Sequence, residues 1–231
     1  TRVVAISMVQ YASGCRTEMR PIADRVHDVG GLLCVDGIQA VGAMPVDVQA
    51  MGIDFLSADG HKWMLGPEGA GLLYVRRDLI PTMHPAVVGW MGMVDANDYG
   101  HYRFELLDDA RRFEPGTWNV PGLLALDASI DLLMEVGMDR VWEAIEALTA
   151  RLCAGLAEMG WPVFSPRGDG QRSGIVTFQT PGGIDPKRIV HDLEQRGIIL
   201  ALREGRLRAS PHFYNDASQI DRVLEAMRDV S

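Results

Sequence analysis

The sequence predicts an α/β fold in two parts, and three observations predict it. Short apolar runs alternate with amphipathic stretches through the first third of the chain. A segment punctuated by Gly and Pro, with no clear period, follows. From about residue 121 amphipathic helices return, mixed with short strands. Strands that alternate with helices pair into a largely parallel sheet with both faces covered.

Residues 3–8 form a continuous apolar run and read as a buried strand. Residues 17–29 read as a helix, with Met19, Ile22, Val26 and Val29 near helical spacing and Gly30-Gly31 as its stop. Residues 32–35 are a second buried strand that ends at Asp36. A short helix over 46–51, a third strand over 53–57 and a fourth over 71–75 complete the first part. Residues 79–120 carry Pro81, Pro85, Gly89, Gly92 and Gly100 among the aromatics Trp90, Tyr99, Tyr102 and Trp118. A structured connection of that length in a compact domain is often functional.

The second part opens with an apolar helix over 122–136. An amphipathic helix over 139–158 follows, with Val141, Ile145, Leu148, Leu152 and Leu156 on one stripe. Strands are expected at 162–164 and 175–178. The next helix has Asp185 as its N-cap, Pro186 in its first turn and Gly197 just past its end. Strands at 198–202 and 206–210 precede a last helix carrying Ile220, Val223, Leu224 and Met227. The expected division is residues 1–120 as one domain and 121–231 as a small carboxy-terminal α/β domain.

Composition narrows the function. Apolar residues make up 47% and charged residues 23%, an ordinary soluble balance. A net charge of -9 disfavours nucleic acid and anionic membrane surfaces as partners. Cys15, Cys34 and Cys153 form neither a CxxC pair nor a zinc spacing, which points to a reducing compartment and no metal. No run approaches the roughly 20 apolar residues of a membrane helix, and no signal-peptide pattern is present, so a cytoplasmic setting is expected.

Four features then occur in order. They are Asp36-Gly-Ile-Gln39-Ala-Val-Gly42, Ser57-Ala-Asp59-Gly-His61-Lys62, Gly66-Pro67-Glu68-Gly69-Ala-Gly71 and Phe113-Glu-Pro-Gly116-Thr117. Each alone has an ordinary explanation: a strand-ending turn, a solvated loop, a glycine turn. No strand runs through G-x-G-x-x-G into a helix, which excludes a dinucleotide-binding dehydrogenase. Their combination is more specific. Asp36 directly follows a buried strand, where open α/β sheets bind ligands, and a carboxylate there can hold a protonated ring nitrogen. Lys62 sits in a glycine-flanked loop, where an amine able to lose its proton can attack an aldehyde.

These residues resemble the Schiff-base segment of class V aminotransferase-type enzymes, which bind pyridoxal 5'-phosphate (PLP) and include cysteine desulfurases, kynureninases and isopenicillin-N-epimerase-like proteins. The resemblance covers essentially the whole chain. It implies the carboxy-terminal part of fold type I: an incomplete large-domain sheet, mixed but mostly parallel, with helices, plus the small α/β domain. It also implies a homodimer with shared active sites and an amino-acid substrate. By the same resemblance Lys62 forms the Schiff base, Asp36 holds the pyridine nitrogen and Gln39 reaches the ring oxygen. His61 lies beside the cofactor, Ser57 and Asp59 lie near its phosphate, with Asp59 alternatively orienting His61, and Thr117 reaches the partner's phosphate. Arg208, in Leu207-Arg208-Ala209-Ser210-Pro211-His212-Phe213-Tyr214-Asn215, matches the arginine that grips the substrate carboxylate, a task suited to its planar fork.

The favoured reaction is transamination, with a PLP-dependent lyase or epimerase, or a non-catalytic scaffold or fragment, as alternatives. Cysteine desulfurases are set aside, because residues 196–208 contain no cysteine to act as the sulfur-accepting nucleophile. The amino-terminal part of the family fold, with its phosphate-binding turn, does not precede residue 3, and Tyr11 falls where many members have an asparagine.

Overall fold

The computed structural model describes residues 1–101, 103–182 and 184–229. Tyr102, one of the aromatics noted in the long connection, lies outside them. The first sheet contains β1 (Val3–Ser7), β2 (Leu32–Asp36), β3 (Phe55–Asp59) and β4 (Gly71–Val75) in that order. The first three strands are parallel and β4 runs antiparallel to β3, so the sheet is mixed and mostly parallel, as expected. Its register sets Ser7 beside Asp36 and Asp36 beside Ser57. The carboxyl ends of β1, β2 and β3 therefore share one edge, where ligands of such sheets bind.

Between β1 and β2 lies α1 (Met19–His27), which buries Met19, Ala23 and Val26 along one stripe. It is shorter than expected because the Thr17 amide donates to the Met8 carbonyl at 2.8 Å, holding that residue on the preceding loop. The helix expected at 46–51 is a single turn. The Asp47 side chain accepts from the Gln49 and Ala50 amides, both at 2.9 Å, and the turn ends at Gly52.

The third strand starts at Phe55 rather than at residue 53, because Asp54 is committed elsewhere. Its buried carboxylate accepts from the Leu33 amide at 2.7 Å, meets His27 Nε2 at 2.8 Å and pairs with Arg76. The long connection after β4 is built of three 3₁₀ turns at Arg77–Thr82, Trp90–Gly92 and Ala110–Phe113.

Two long helices follow. For α2 (Val120–Val136), Asn119 caps the start by accepting from the Gly122 amide, and its own amide donates to the Gly69 carbonyl at 3.0 Å. That bond ties the helix to the loop after Lys62. The next helix, α3 (Met138–Glu158), serves two cores. Val141 and Ile145 pack with Leu33, Val35, Leu56 and Trp63 against the first sheet. Leu148, Leu152 and Leu156 pack with Trp161, Phe178, Leu193 and Leu207 in the second core.

The second sheet contains β5 (Val176–Phe178), β6 (Ala201–Arg203) and β7 (Arg206–Ala209), ordered β5-β7-β6 and antiparallel throughout. It is accompanied by α4 (Pro186–Gln195) and α5 (Ala217–Asp229). As expected, Asp185 caps α4 by accepting from the Lys187 amide at 3.0 Å. The strand expected at 162–164 is only a bridge from Val163 to Phe178. Pro162 has no N–H, and the Phe164 and Ser165 amides both turn to the Thr177 carbonyl, a bulge that breaks the ladder. The strand expected from 198 begins at Ala201, because the Ile198 amide stays bonded to the Leu193 carbonyl at the end of α4.

Candidate active site

The residues singled out in the sequence gather around two depressions on or beyond the carboxyl edge of the first sheet. Asp36 closes β2 and is exposed. Its Oδ2 accepts from Ser7 Oγ at 3.0 Å and its Oδ1 from the Ile38 amide at 2.9 Å. Both oxygens are thus held by donors from the neighbouring strand and the turn that follows. With Ser57, Asp59, Arg111 and Glu114 it lines a cavity of about 550 Å³.

The second cavity, of about 430 Å³, is lined by Tyr11, Gln39, Lys62, Trp63, Arg203, Arg208, His212 and Tyr214, among others. Lys62 stands three residues beyond β3 with its side chain exposed. Its neighbours are fixed far more tightly. Trp63 Nε1 donates to Gln39 Oε1 at 2.9 Å, which commits the carbonyl of this buried amide and leaves its NH₂ to donate to a ligand. The Trp63 carbonyl meets His212 Nε2 at 2.9 Å. The other ring nitrogen of His212 accepts from the Phe213 amide at 2.8 Å, so the proton sits on Nε2 and the imidazole is neutral. Burial lowers the pKa of His212, in keeping with that neutral ring. His212 also packs on Trp63, with ring centroids 5.2 Å apart, and stacks on Tyr214 at 5.1 Å. Leu65, on the same rim, holds a left-handed φ of 60°, a strained value for a leucine.

The small sheet supplies the opposite wall. Arg208 pairs with Thr177 on β5 and with Ala201 on β6, so these residues project from the same face of the sheet. That face lies on the loop after β1. Arg208 Nη1 donates to the Tyr11 carbonyl at 2.8 Å and Thr177 Oγ1 to the Ala12 carbonyl at 2.6 Å. Ser165 Oγ and Ser173 Oγ take the next two carbonyls, Ser13 at 2.5 Å and Gly14 at 2.6 Å. Arg208 Nε is buried without a hydrogen-bond partner. Burial, and then the nearby charge of Arg203, lower the pKa of Arg208.

The structure therefore brings Gln39, Lys62 and Arg208 around one cavity, and Asp36, Ser57 and Asp59 around the other. His61 and Thr117 are exposed and line neither. No hydrogen bond joins Asp59 to His61 among the described residues, so the alternative that Asp59 orients His61 gains no support. Sequence reasoning gave no role to Trp63, His212 or Arg203. His212 stands inside the string that identified Arg208, four residues on, and Trp63 directly follows the lysine. Their adjacency to assigned residues was the available signal.

The donor set has the chemistry that PLP needs. It offers an amine for the aldehyde, an amide N–H for the ring oxygen and a carboxylate at a strand end for the ring nitrogen. The guanidinium of Arg208 on the cavity wall can meet the carboxylate of a bound amino acid.

Comparison with known proteins places these features in context. The sequence model of the family described as aminotransferase class-V matches residues 1–223. A probable cysteine desulfurase of Methanothermobacter thermautotrophicus is 32% identical, over 100% of this chain and 61% of its own length. The apo structure of a cysteine desulfurase from Thermococcus onnurineus NA1 superposes with a TM-score of 0.89 at 29% identity, covering 99% of this chain and 59% of that one. The cystine C-S lyase C-DES, solved with its reaction product cysteine persulfide, gives a TM-score of 0.90 at 26% identity, covering 100% of this chain and 62% of that one. The chain thus spans about three-fifths of the length of these relatives. These likenesses overturn the expectation that favoured transamination and set cysteine desulfurases aside. That exclusion rested on one segment without a cysteine, which the structure shows to be the hairpin of β6 and β7 closed by Glu204-Gly205. A missing thiol there constrains how sulfur is accepted, not whether a carbon–sulfur bond is broken.

Proposed function

Because the chain belongs to the class V aminotransferase family, we propose that the protein is a PLP-dependent enzyme that breaks the carbon–sulfur bond of cysteine or a cysteine derivative. The observation that carries this reading is the single cavity lined by Lys62, Gln39 and Arg208. The cofactor, when bound, supplies an aldehyde for covalent capture of an amine and a protonated ring that withdraws electrons from the α-carbon.

The chain's own residues divide the remaining work. Lys62 would hold the cofactor through its amine and would accept the α-carbon proton of the bound amino acid on Nζ. Asp36, positioned by its two donors at the end of β2, would accept the N–H of the ring nitrogen. Gln39, its carbonyl secured by Trp63, donates to the ring oxygen. Arg208, anchored through Nη1 on Tyr11, would offer its guanidinium to the substrate carboxylate. His61, exposed and outside both cavities, would have to turn inward to lie beside the ring. Ser57 and Asp59 border the phosphate, where the carboxylate needs an intervening cation. In this reading the two depressions are two ends of one cleft.

A second copy of the chain is the proposed partner, with Thr117 turned toward the other copy's phosphate. Exposed Leu123, Leu124, Leu132 and Met134 on α2, beside exposed Trp118, supply an apolar face for that contact. The expected boundary near residue 120 is kept as a proposal, with α3 bridging the two cores. The cytoplasm remains the proposed compartment, in keeping with three free cysteines. No helix of the described residues is long and apolar enough to cross a membrane.

The test is borohydride reduction of the PLP-loaded protein, peptide mapping, and assays with L-cysteine and L-cystine. A pyridoxyl adduct on Lys62 is expected, with sulfide, pyruvate and ammonia from L-cysteine, or cysteine persulfide, pyruvate and ammonia from L-cystine. An adduct elsewhere, or keto acid from other amino acids with no sulfur released, would sink the reading.

A further inference from the structure

The cavity around Lys62 holds one more cation than the proposed reaction uses. Lys62, Arg203 and Arg208 line it, and no acidic side chain does. Lys62 is assigned to the cofactor and Arg208 to the α-carboxylate, which leaves Arg203. It is not consumed by the protein. Its hydrogen bond runs from Nη1 to its neighbour's carbonyl on Leu202, at 2.8 Å, and it makes no ion pair with a carboxylate among the described residues. Glu204, the nearest acid in sequence, lies 3.8 Å from Arg206 instead.

The hairpin explains why the two guanidiniums meet. Ala201 pairs with Arg208, and Arg203 lies two residues along the same strand, so Arg203 and Arg208 project from one face. The tight Glu204-Gly205 turn, with positive φ at both residues, fixes that register. Two like charges on one cavity wall repel; burial first, and then the charge of Arg203, lower the pKa of Arg208. An arrangement that costs stability without a ligand is relieved by a ligand with two anionic groups.

We propose that Arg203 determines substrate specificity, and that the cavity takes a cysteine-derived amino acid whose sulfur substituent bears a second carboxylate. Arg208 holds the α-carboxylate and Arg203 the distal one, with the sulfur between them near Lys62. This inference rests on reading the cavity as the PLP site.

The probes are S-carboxymethyl-L-cysteine and its amide, S-carbamoylmethyl-L-cysteine, which has nearly the same shape without the charge. Kd for each is measured by calorimetry on the PLP-loaded protein, after borohydride mapping has located the cofactor. The wild-type protein should bind the acid about 10–100-fold more tightly than the amide, the range of one charge-assisted hydrogen bond. Arg203→Gln should bring the ratio near one and Arg203→Lys should restore part of it, with PLP affinity unchanged in both. If Lys62 carries PLP but the wild-type ratio is near one, this inference fails and the proposed function stands. If Arg203→Gln weakens PLP binding at least tenfold and leaves the ratio intact, Arg203 serves the phosphate and the inference is overturned. If Lys62 carries no adduct, both readings fall.

Discussion

Arg208 reaches across from the small sheet and donates to the main-chain carbonyl of Tyr11 at 2.8 Å. This bond does more than anchor a guanidinium. Together with Thr177, Ser165 and Ser173 it captures four successive carbonyls, those of residues 11 to 14. The loop after β1 is thereby held to the face of the small sheet that carries Arg208. A wall of the cavity near Lys62 and the wall that bears Arg208 become one unit.

Thr177 is buried, and Ala12, whose carbonyl it takes, is buried too. Thr177→Val keeps the shape and removes the donor. The Ala12 carbonyl would then be buried without its partner, a cost of about 1–3 kcal/mol. Urea unfolding should show a lower midpoint with an unchanged m-value. An unchanged midpoint would mean that solvent replaces the hydroxyl and that the loop is not clamped.

His212 predicts a pH dependence. Its folded-state pKa lies below the ordinary histidine value of about 6.5, first because the ring is buried. Below that value the unfolded chain takes up a proton that the folded chain resists. Stability from this group is therefore full above about pH 6.5 and is lost as pH falls through the lowered folded value. The hydrogen bond to the Trp63 carbonyl works against the lowering, and burial outweighs it. Unfolding free energies of the wild type and of His212→Gln, measured at pH 8, 6.5 and 5, should diverge on the acid side. The divergence should not exceed about 1.4 kcal/mol per pH unit for one proton. Parallel pH profiles would remove His212 from the account.

Much of this was legible in the sequence, and the failures share a physical cause. Asp36 and Lys62 could be placed because each follows a buried strand, and a parallel sheet must present such ends on one edge. The stripe of α3 was legible because five apolar residues repeat at helical spacing, although its division between two cores was not. Periodicity reports that a face is buried, not what buries it. The roles of Trp63 and His212 were hidden for the same reason. They depend on a contact spanning 149 residues, from the His212 ring to the Trp63 carbonyl, which no local pattern encodes. Arg203 and Arg208 come together through a two-residue turn between strands expected at 198–202 and 206–210 but whose pairing register no local pattern encodes.

Asp54 gives a prediction about stability separate from the site. Its carboxylate is fully buried at the amino end of β3, opposite Lys62, and serves Leu33, His27 and Arg76 together. Asp54→Ala leaves the buried Leu33 amide without a partner, while Arg76 keeps Asp78, and should cost about 1–3 kcal/mol. Thermal and urea unfolding would register that loss. PLP affinity of the fraction that remains folded should stay within about twofold of wild type. A large loss of affinity at unchanged stability would mean that Asp54 acts on the site.

Gly42 closes the motif that begins at Asp36, and its position explains why the motif ends in glycine. Its φ of 91° lies where side chains are rarely tolerated, and a Cβ built there would sit 2.4 Å from the Trp63 carbonyl oxygen. The turn after β2 is thus pressed against the backbone that follows Lys62. Gly42→Ala must push that backbone away, with Trp63, its bond to Gln39 and the neighbouring Lys62. Overpacking of this kind costs about 1–3 kcal/mol, and the left-handed backbone adds about 1–2 kcal/mol. Gly30→Ala is the control, since φ there is 69° but nothing lies within 4 Å of the added carbon. It should lose only the backbone share and keep its affinity for PLP. Gly42→Ala should lose both shares and bind PLP at least about tenfold more weakly, because a displacement of the lysine falls directly on the bond it forms. Equal effects of the two substitutions, measured by urea unfolding and PLP titration, would show that the contact between Gly42 and Trp63 does not set the position of Lys62.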